Sequence, residues 1–115
     1  MTIDELLATY RAAAAKHGRA TQTGAYREAN KAYRELIRCA TRLRQKGADA
    51  QAGWTKLLDD DDDSVRVWAA SHILEFAPDD AARVLRSIAN GNPGPDGLNA
   101  EMVLREWKAG RLQQP

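Results

Sequence analysis

The segment from residue 54 to residue 76, WTKLLDDDDDSVRVWAASHILEF, constrains the fold more than any other part of this chain. It places an acidic turn before a stretch whose apolar residues recur on two opposite faces of a helix, at about 100° per residue. One face carries Val65, Trp68, Ala69, His72 and Phe76, with Ile73 at its edge, and the other carries Val67, Ala70 and Leu74. A helix that is apolar on two sides packs against neighbours on both sides. The segment therefore predicts a central helix with other helices before and behind it.

Five consecutive aspartates, Asp59 to Asp63, precede this helix. Short carboxylates compete for backbone amides and favour the positive N-terminus of a helix, so the run predicts a turn with Asp63 or Ser64 as the N-cap. The aspartates also have the spacing with which a calcium loop begins. Such a loop needs a turn glycine and a terminal glutamate, whereas Ser64 and Ala70 stand at those positions. We therefore expect a solvated capping turn and no metal site.

Composition indicates an all-α chain. Helix-forming residues dominate, runs of β-branched and aromatic residues are absent, and the four prolines lie between periodic segments or at helix starts. With 115 residues the chain is long enough for a single domain, 1–115, with its own core. We expect about six helices, arranged as an N-terminal helical pair over residues 1–47 and two helical hairpins over residues 48–77 and 78–110.

Glycines and capping residues predict the helix ends. The first helix should begin with a capping box at Thr2 and end near His17, where Gly18 supplies a left-handed stop. A second helix should run over residues 25–46. Further on, residues 90–97 are rich in turn formers and should not be helical, so that Asn99 caps the last helix. The tail after residue 110 should be loose.

The second half of the chain repeats itself at an interval of 31 residues. The matched pairs are Trp54 and Leu85, Leu57 and Ile88, Ala69 and Ala100, Ile73 and Leu104, and Phe76 and Trp107. Two helical hairpins of similar design follow from this spacing. Because repeat architectures generally need about three units to bury their faces, the first two helices should form the third layer or a cap.

Charge is distributed unevenly along the chain. Residues 1–47 carry ten basic and four acidic side chains, whereas residues 48–115 carry seven basic and twelve acidic ones. Within the second predicted helix, five basic side chains fall inside one arc of about 80°, opposite the predicted core face. We call this arc the basic ridge, and it consists of Arg27, Lys31, Arg34, Arg38 and Arg42.

The basic ridge has three interpretations. The first is a solvated helix face, in which Glu28 and Glu35 form ion pairs with ridge residues three or four positions away. The second is a surface that binds an acidic protein, and the third is a surface that follows a nucleic-acid backbone. A nucleic-acid surface gains from aromatic side chains between the basic ones. Because Tyr26 and Tyr33 are predicted to face the core with Leu36 and Leu43, an acidic protein is favoured over nucleic acid as the partner.

Catalytic and cofactor motifs are absent from the sequence. Paired cysteines or histidines at zinc spacing, a nucleophile elbow and a phosphate loop are all missing, so we expect no metal, no cofactor and no small-molecule substrate. The single cysteine, Cys39, cannot form an internal disulfide. We expect His72 to be a core histidine with one satisfied nitrogen. Two alternatives stay open: a binding groove formed by Trp68 and an exposed His72, and a small enzyme centred on His72.

The N-terminus bears acidic residues and lacks a long apolar stretch, so it is not a secretory signal, and no apolar run approaches membrane-spanning length. We expect a cytoplasmic protein that does not bind membranes.

One stretch resembles a known repeat. The residues that carry the resemblance are Leu57, Leu58, Asp60, Val65, Arg66, Ala69, Ala70 and Ile73, and their pattern is similar to the helix-turn-helix unit of HEAT repeats. In that family the aspartate lies in the turn between the helices, and the arginine often pairs with a carboxylate of a neighbouring unit. The resemblance therefore implies structural roles for Asp60 and Arg66 at this corner.

The whole chain resembles small bacterial HEAT-like proteins that are classed as a domain of unknown function, through the segments SVRVWAASHILEFAPDDA and GLNAEMVLREWKAG. The resemblance implies antiparallel hairpins stacked as a short right-handed α-α superhelix. Such families often lie beside genes for secreted toxins, which implies an adaptor or immunity-type role. We therefore expect a non-enzymatic protein-binding module, with nucleic-acid binding through the basic ridge as the alternative.

Overall fold

The computed structural model describes all 115 residues, and its regular elements are helices alone. They are α1 (Ile3–Thr23), α2 (Tyr26–Gln45), α3 (Ala48–Lys56), α4 (Asp63–Ile73), α5 (Pro78–Gly91) and α6 (Pro95–Lys108), with a 3₁₀ turn at Leu57–Asp59 after α3. The predicted all-α chain with about six helices is confirmed. No helix combines the length and the apolar run that crossing a bilayer requires.

Helix α4 lies at the centre of the molecule. It packs against α1, α3, α5 and α6, and eight of its 11 residues are buried. The two-sided packing that the apolar pattern predicts is therefore confirmed. The predicted cap is off by one residue, because Asp62 is extended and its carboxylate accepts hydrogen bonds from the backbone N–H groups of Ser64 and Val65 at 2.8 and 3.4 Å.

Helix α1 is longer than predicted. The capping box of Thr2 and Glu5 is present, but the helix passes through Gly18 without interruption. Gly18 is buried, and a Cβ added there would overlap the hydroxyl of Ser64 and lie 2.6 Å from its Cβ. The helix ends instead at Gly24, whose φ of 76° is the left-handed conformation that glycine adopts without strain. Gly18 thus serves close packing of α1 against α4 and is not a stop.

Helix α6 also begins earlier than predicted. Its first residue is Pro95, which suits the first helical position, and Asn99 is exposed inside the helix rather than capping it. Gly97 is buried where a Cβ would overlap the carbonyl oxygen of Asn92. The prediction that residues 90–97 are not helical was therefore wrong at both ends of this stretch, since α5 continues to Gly91.

Helix α2 buries Leu36 and Leu43 as predicted, but its buried face is rotated away from the two tyrosines. Its buried residues are Ala29, Ala32, Leu36, Cys39, Ala40 and Leu43. Tyr26 and Tyr33 are 76% and 45% exposed, so the prediction that both tyrosines face the core was wrong. The buried arc is centred near Leu36 and Leu43, and the tyrosines lie about 80° away from it at 100° per residue.

The repeat interval of 31 residues relates α3 to α5 and α4 to α6. Two matched pairs have equal burial, since Trp54 and Leu85 are 1% and 0% exposed and Ala69 and Ala100 are both fully buried, whereas Leu57 is less buried than Ile88. Consecutive helices α4 and α5, and α5 and α6, pack against each other, while α1 packs most extensively against α2. The pair α1 and α2 therefore covers the repeated hairpins from one side, through contacts of α1 with α3, α4 and α6.

The tail after residue 110 is not loose. Leu112 packs against the core, and the side-chain amide of Gln114 donates to the carbonyl oxygen of Ser71 at 2.9 Å. Arg44 of α2 contacts both Gln114, at 3.3 Å, and the carbonyl oxygen of Pro115. The prediction of a loose tail failed because the Arg44 side chain of α2 and the Ser71 carbonyl oxygen of α4 both form hydrogen bonds with the tail.

Replacing Gly18 by alanine should destabilise the fold, because the new methyl group meets Ser64 at the contact between α1 and α4. Overpacking of this kind costs about 1–3 kcal/mol, which outweighs the gain in helix propensity. Urea unfolding followed by circular dichroism measures the effect.

The matched control is Gly91→Ala at the end of α5, where no atom lies within 4 Å of the added Cβ. This variant should be as stable as the wild type or slightly more stable. Equal stability of the Gly18→Ala variant and the wild type would contradict the close approach of α1 and α4.

Candidate functional site

A pocket of about 310 Å³ opens where α1, α2, α4 and α6 meet. Its walls include the rings of His17, Tyr33 and Trp68, the carboxylate of Asp96 and the thioether of Met102. We call it the aromatic pocket. It exists because α1 approaches α4 closely at Gly18, which brings His17 alongside α4, and because α6 begins early enough to carry Asp96.

The three rings of the aromatic pocket form one cluster. The ring centroids of His17 and Trp68 are 5.3 Å apart with planes at 86°, an edge-to-face arrangement that the ring quadrupoles favour. Tyr33 lies 5.8 Å from Trp68 and 6.3 Å from His17. Burial lowers the pKa of His17 below its ordinary value, so the imidazole is neutral near pH 7 and acts as an aromatic wall.

Asp96 supplies the negative charge of the aromatic pocket. The hydroxyl of Ser64, itself only 5% exposed, lies 2.8 and 3.0 Å from the two carboxylate oxygens. Burial raises the pKa of Asp96 above its ordinary value, the Ser64 hydrogen bond offsets part of that rise, and repulsion from Asp62 and Asp63 adds to it. Asp63 is compensated by Arg66 and by the Asn92 amide at 2.8 Å, whereas no cation pairs with Asp96.

The candidate groove of Trp68 and His72 is only partly present. Trp68 lines the aromatic pocket, but His72 is 4% exposed, and its Nδ1 lies 2.7 Å from the hydroxyl oxygen of Tyr10. The rings of Tyr10 and Trp54 enclose it at centroid distances of 5.7 and 6.0 Å. Burial lowers the pKa of His72 to about 3, with a further contribution from the charge of Arg44. His72 is therefore a neutral core histidine with one hydrogen-bonded nitrogen.

All five side chains of the basic ridge are exposed. Arg38 pairs with Glu35, while Arg27, Lys31, Arg34 and Arg42 form no ion pair. Of the pairs that these spacings allow, Glu35 with Arg38 is present, while Glu28 with Lys31 and Lys31 with Glu35 are absent from the structure.

The ridge borders an open groove between α1 and α2, which we call the basic groove. Its lining consists of Lys16, Lys31, Arg34, Arg38 and Glu35, with Thr9, Ala12, Ala13 and Ala32 between them. Four cations thus face one carboxylate, and the apolar lining is made of alanine. No aromatic side chain lines the basic groove.

Of the two corner residues, Asp60 lies where the resemblance to HEAT repeats implies, whereas Arg66 pairs differently. Asp60 lies in the turn before α4, as expected, and accepts hydrogen bonds from the guanidinium of Arg11 at 2.6 and 3.2 Å. Although burial alone would raise it, the contact with Arg11 brings the pKa of Asp60 below its ordinary value. Arg66 pairs with Asp63, three residues before it on α4, and does not reach a neighbouring hairpin. Proximity along the same helix turn explains this local pairing.

Arg44 is a second polar centre that the sequence did not single out. Its guanidinium donates to Glu75 at 2.6 Å and to the carbonyl oxygen of His72 at 3.3 Å, in addition to its contacts with the tail. The tail residues 112–115 form one wall of a depression that shares Tyr33, Trp68 and Ser71 with the aromatic pocket. Arg44 therefore holds α2, the end of α4 and the tail together beside this pocket.

Sequence reasoning found Trp68 but missed the other members of the aromatic pocket. His17, Tyr33, Asp96 and Met102 come from three helices and share no spacing. The predicted helix ends place His17 at the end of α1 and Asp96 in a loop, which separates both residues from Trp68. No group of three or more histidine, cysteine or carboxylate side chains that could hold a metal ion lies together.

These features define a small all-helical protein with one aromatic pocket and one basic groove. The chain belongs to the family described as a domain of unknown function (DUF2019), whose family model matches residues 4–107. It is similar to the crystal structure of the protein RPA1889 from Rhodopseudomonas palustris CGA009, with a TM-score of 0.90 and 22% identity, covering 100% of this chain and 95% of that chain. At this identity the similarity shows the fold alone. No curated protein matches the chain.

Acidification should destabilise the protein through His72. The pKa of this group is about 3 in the folded chain and near 6.5 when unfolded, so below pH 6.5 the unfolded state binds more protons. The stabilisation is complete above about pH 6.5 and is lost progressively as the pH falls toward 3. We expect the free energy of unfolding to be lower by about 2 kcal/mol at about pH 5 than at about pH 7.5. Urea titrations at both pH values measure it.

His72→Asn is the control, because its amide reaches the position of Nδ1 next to Tyr10 and does not titrate in this range. The variant should lose most of the pH dependence, while the smaller contribution of His17, which has the same sign, stays in both proteins. An identical pH dependence in the variant and the wild type would contradict a buried neutral His72.

Proposed function

We propose that this chain is a non-enzymatic protein-binding module that binds an acidic surface of a partner protein through the basic ridge and the basic groove. The observation that carries the proposal is the set of exposed cations without ion pairs on one face of α2, namely Arg27, Lys31, Arg34 and Arg42. Lys16 of α1 extends this positive surface across the basic groove.

Charge complementarity is the physical basis of this proposal. A cluster of unpaired cations raises the local potential, which steers an acidic partner toward the surface and disfavours basic ones. The alanines of the basic groove add little bulk between the charged side chains, so a partner backbone can approach closely. The contrast with residues 48–115, where acids outnumber bases by twelve to seven, favours this surface for an acidic partner.

The geometry favours a protein over a nucleic acid as the partner. Surfaces that follow single strands place aromatic rings between their cations, and the basic groove has none. Of the two exposed tyrosines, Tyr33 lines the aromatic pocket, and Tyr26 is the first residue of α2 and does not line the basic groove. An acidic protein surface needs no stacking partner, so the cations of the basic ridge are sufficient to bind it.

The proposal includes a HEAT-like arrangement within one domain. In it α3 with α4 and α5 with α6 are two HEAT-like hairpins, stacked beside α1 and α2 as a short right-handed superhelix. The interval of 31 residues and the matched burial of Trp54 with Leu85 and of Ala69 with Ala100 support it. A compact module that binds one partner stoichiometrically fits an adaptor or immunity-type role.

Reversing two ridge charges should weaken partner binding. Lys31→Glu with Arg34→Glu removes two cations that form no ion pair, so the change breaks no observed contact. Immobilised wild type and variant are incubated with nuclease-treated lysate of the encoding organism, and the retained proteins are identified and titrated in purified form. We expect at least a tenfold weaker affinity for the variant, because two attractive charges become repulsive.

The matched control is Arg86→Glu with Lys108→Glu on α5 and α6, which makes the same change in net charge at exposed side chains without ion pairs. It should bind like the wild type. Equal retention of the same protein by all three would contradict the proposal. Retention of nuclease-sensitive material alone, with log affinity falling by about 0.7–0.9 per phosphate contact for each log unit of salt, would favour nucleic acid instead.

A further inference from the structure

The aromatic pocket has a charge opposite to that of the basic groove. None of the 17 lysines and arginines of the chain lines it, although fourteen residues do, and Asp96 is its only carboxylate. It shares no lining residue with the basic groove. The linings of the two sites therefore favour charges of opposite sign.

Aromatic rings make the pocket attractive to cations. The faces of tryptophan and tyrosine rings carry the negative part of the ring quadrupole, and tryptophan is the strongest partner for a positive group. Trp68 is only partly buried and Tyr33 is 45% exposed, so parts of both rings remain open to a ligand. The neutral His17 adds a third ring without adding positive charge.

Asp96 is held in place before any ligand arrives. Ser64 is buried directly beneath Gly18, and its hydroxyl lies within 3.0 Å of both carboxylate oxygens. This hydroxyl is the only side-chain donor to Asp96, while Asp62 and Asp63 lie near enough to repel its charge. No basic side chain pairs with Asp96, so a bound cation would supply the missing partner charge.

We propose that the aromatic pocket is a binding site for a small organic ammonium group, which contacts the faces of Trp68 and Tyr33 and forms an ion pair with Asp96. A volume of about 310 Å³ lies at the small end of the range for ligand sites, so the group is compact. The ammonium belongs either to a free small molecule or to the lysine side chain of a peptide.

The test uses three probes with wild-type protein, followed by ¹H–¹⁵N NMR. The first is choline, the second is its neutral isostere 3,3-dimethyl-1-butanol, and the third is Nα-acetyl-lysine N-methylamide. We expect the indole N–H of Trp68 and the amides of Asn99 and Met102 to shift with the two cations. At least one of the cations should bind at least tenfold more tightly than the neutral isostere.

The comparison of the cations identifies the source, since tighter binding of choline indicates a free ammonium compound and tighter binding of the lysine derivative a peptide. Asp96→Asn removes the charge and keeps an oxygen for Ser64. It should weaken the cations at least tenfold and leave the isostere unchanged. Affinities of both cations no higher than that of the isostere, shifts located away from the pocket, or no shift with either cation would overturn the proposal. The isostere comparison needs no variant, so it stands even if the substitution affects folding.

Discussion

The close contact between α1 and α4 at Gly18 and Ser64 is the constraint on which the remaining structure depends. The absence of a side chain at Gly18 lets the two helices approach until a single methyl group would no longer fit. Because of this approach, α1 can continue along α4 to Thr23 and stack His17 against Trp68. The same contact buries the serine that orients Asp96. The same contact between α1 and α4 therefore shapes both the core and the aromatic pocket.

Buried polar groups complete the interior around this contact. Tyr10 and His72 are held neutral and share one hydrogen bond between α1 and α4, so neither leaves an unpaired charge in the core. Arg44 stays partly exposed, where it donates to Glu75 and to the carbonyl oxygen of His72 at the end of α4. Short-range directional contacts of this kind fix the relative position of helices that apolar packing alone would leave free to slide.

Helix α2 gives the molecule two chemically distinct sides. One edge carries the unpaired cations of the basic ridge, and another presents Tyr33 to the aromatic pocket. Between them lies the buried arc of small and branched residues that packs on α1. A single helix therefore separates a surface suited to carboxylates from a pocket suited to cations, and a substitution on one edge leaves the other edge in place.

The sequence predicted the helices far better than the places where they meet. Helix α4 was predictable because burial on two sides leaves a pattern that repeats within the helix itself. Gly18 and Gly97 misled the prediction because glycine serves both as a stop and as a point of close approach, and only the opposite residue distinguishes the two. The orientation of Tyr26 and Tyr33 depends on which side of α2 packs against the alanines of α1, and the sequence of α2 alone does not determine that side. The aromatic pocket draws on four helices, so no spacing along the chain announces it.

The single thiol of the protein is a built-in reporter of motion. Cys39 is 3% exposed on the face of α2 that packs in the core, and burial raises the pKa of its thiol. A thiol reagent meets neither an accessible sulfur nor a ready thiolate while α2 is seated. The rate at which Cys39 is modified therefore reports how often the packing around α2 opens. This measurement requires no engineered cysteine.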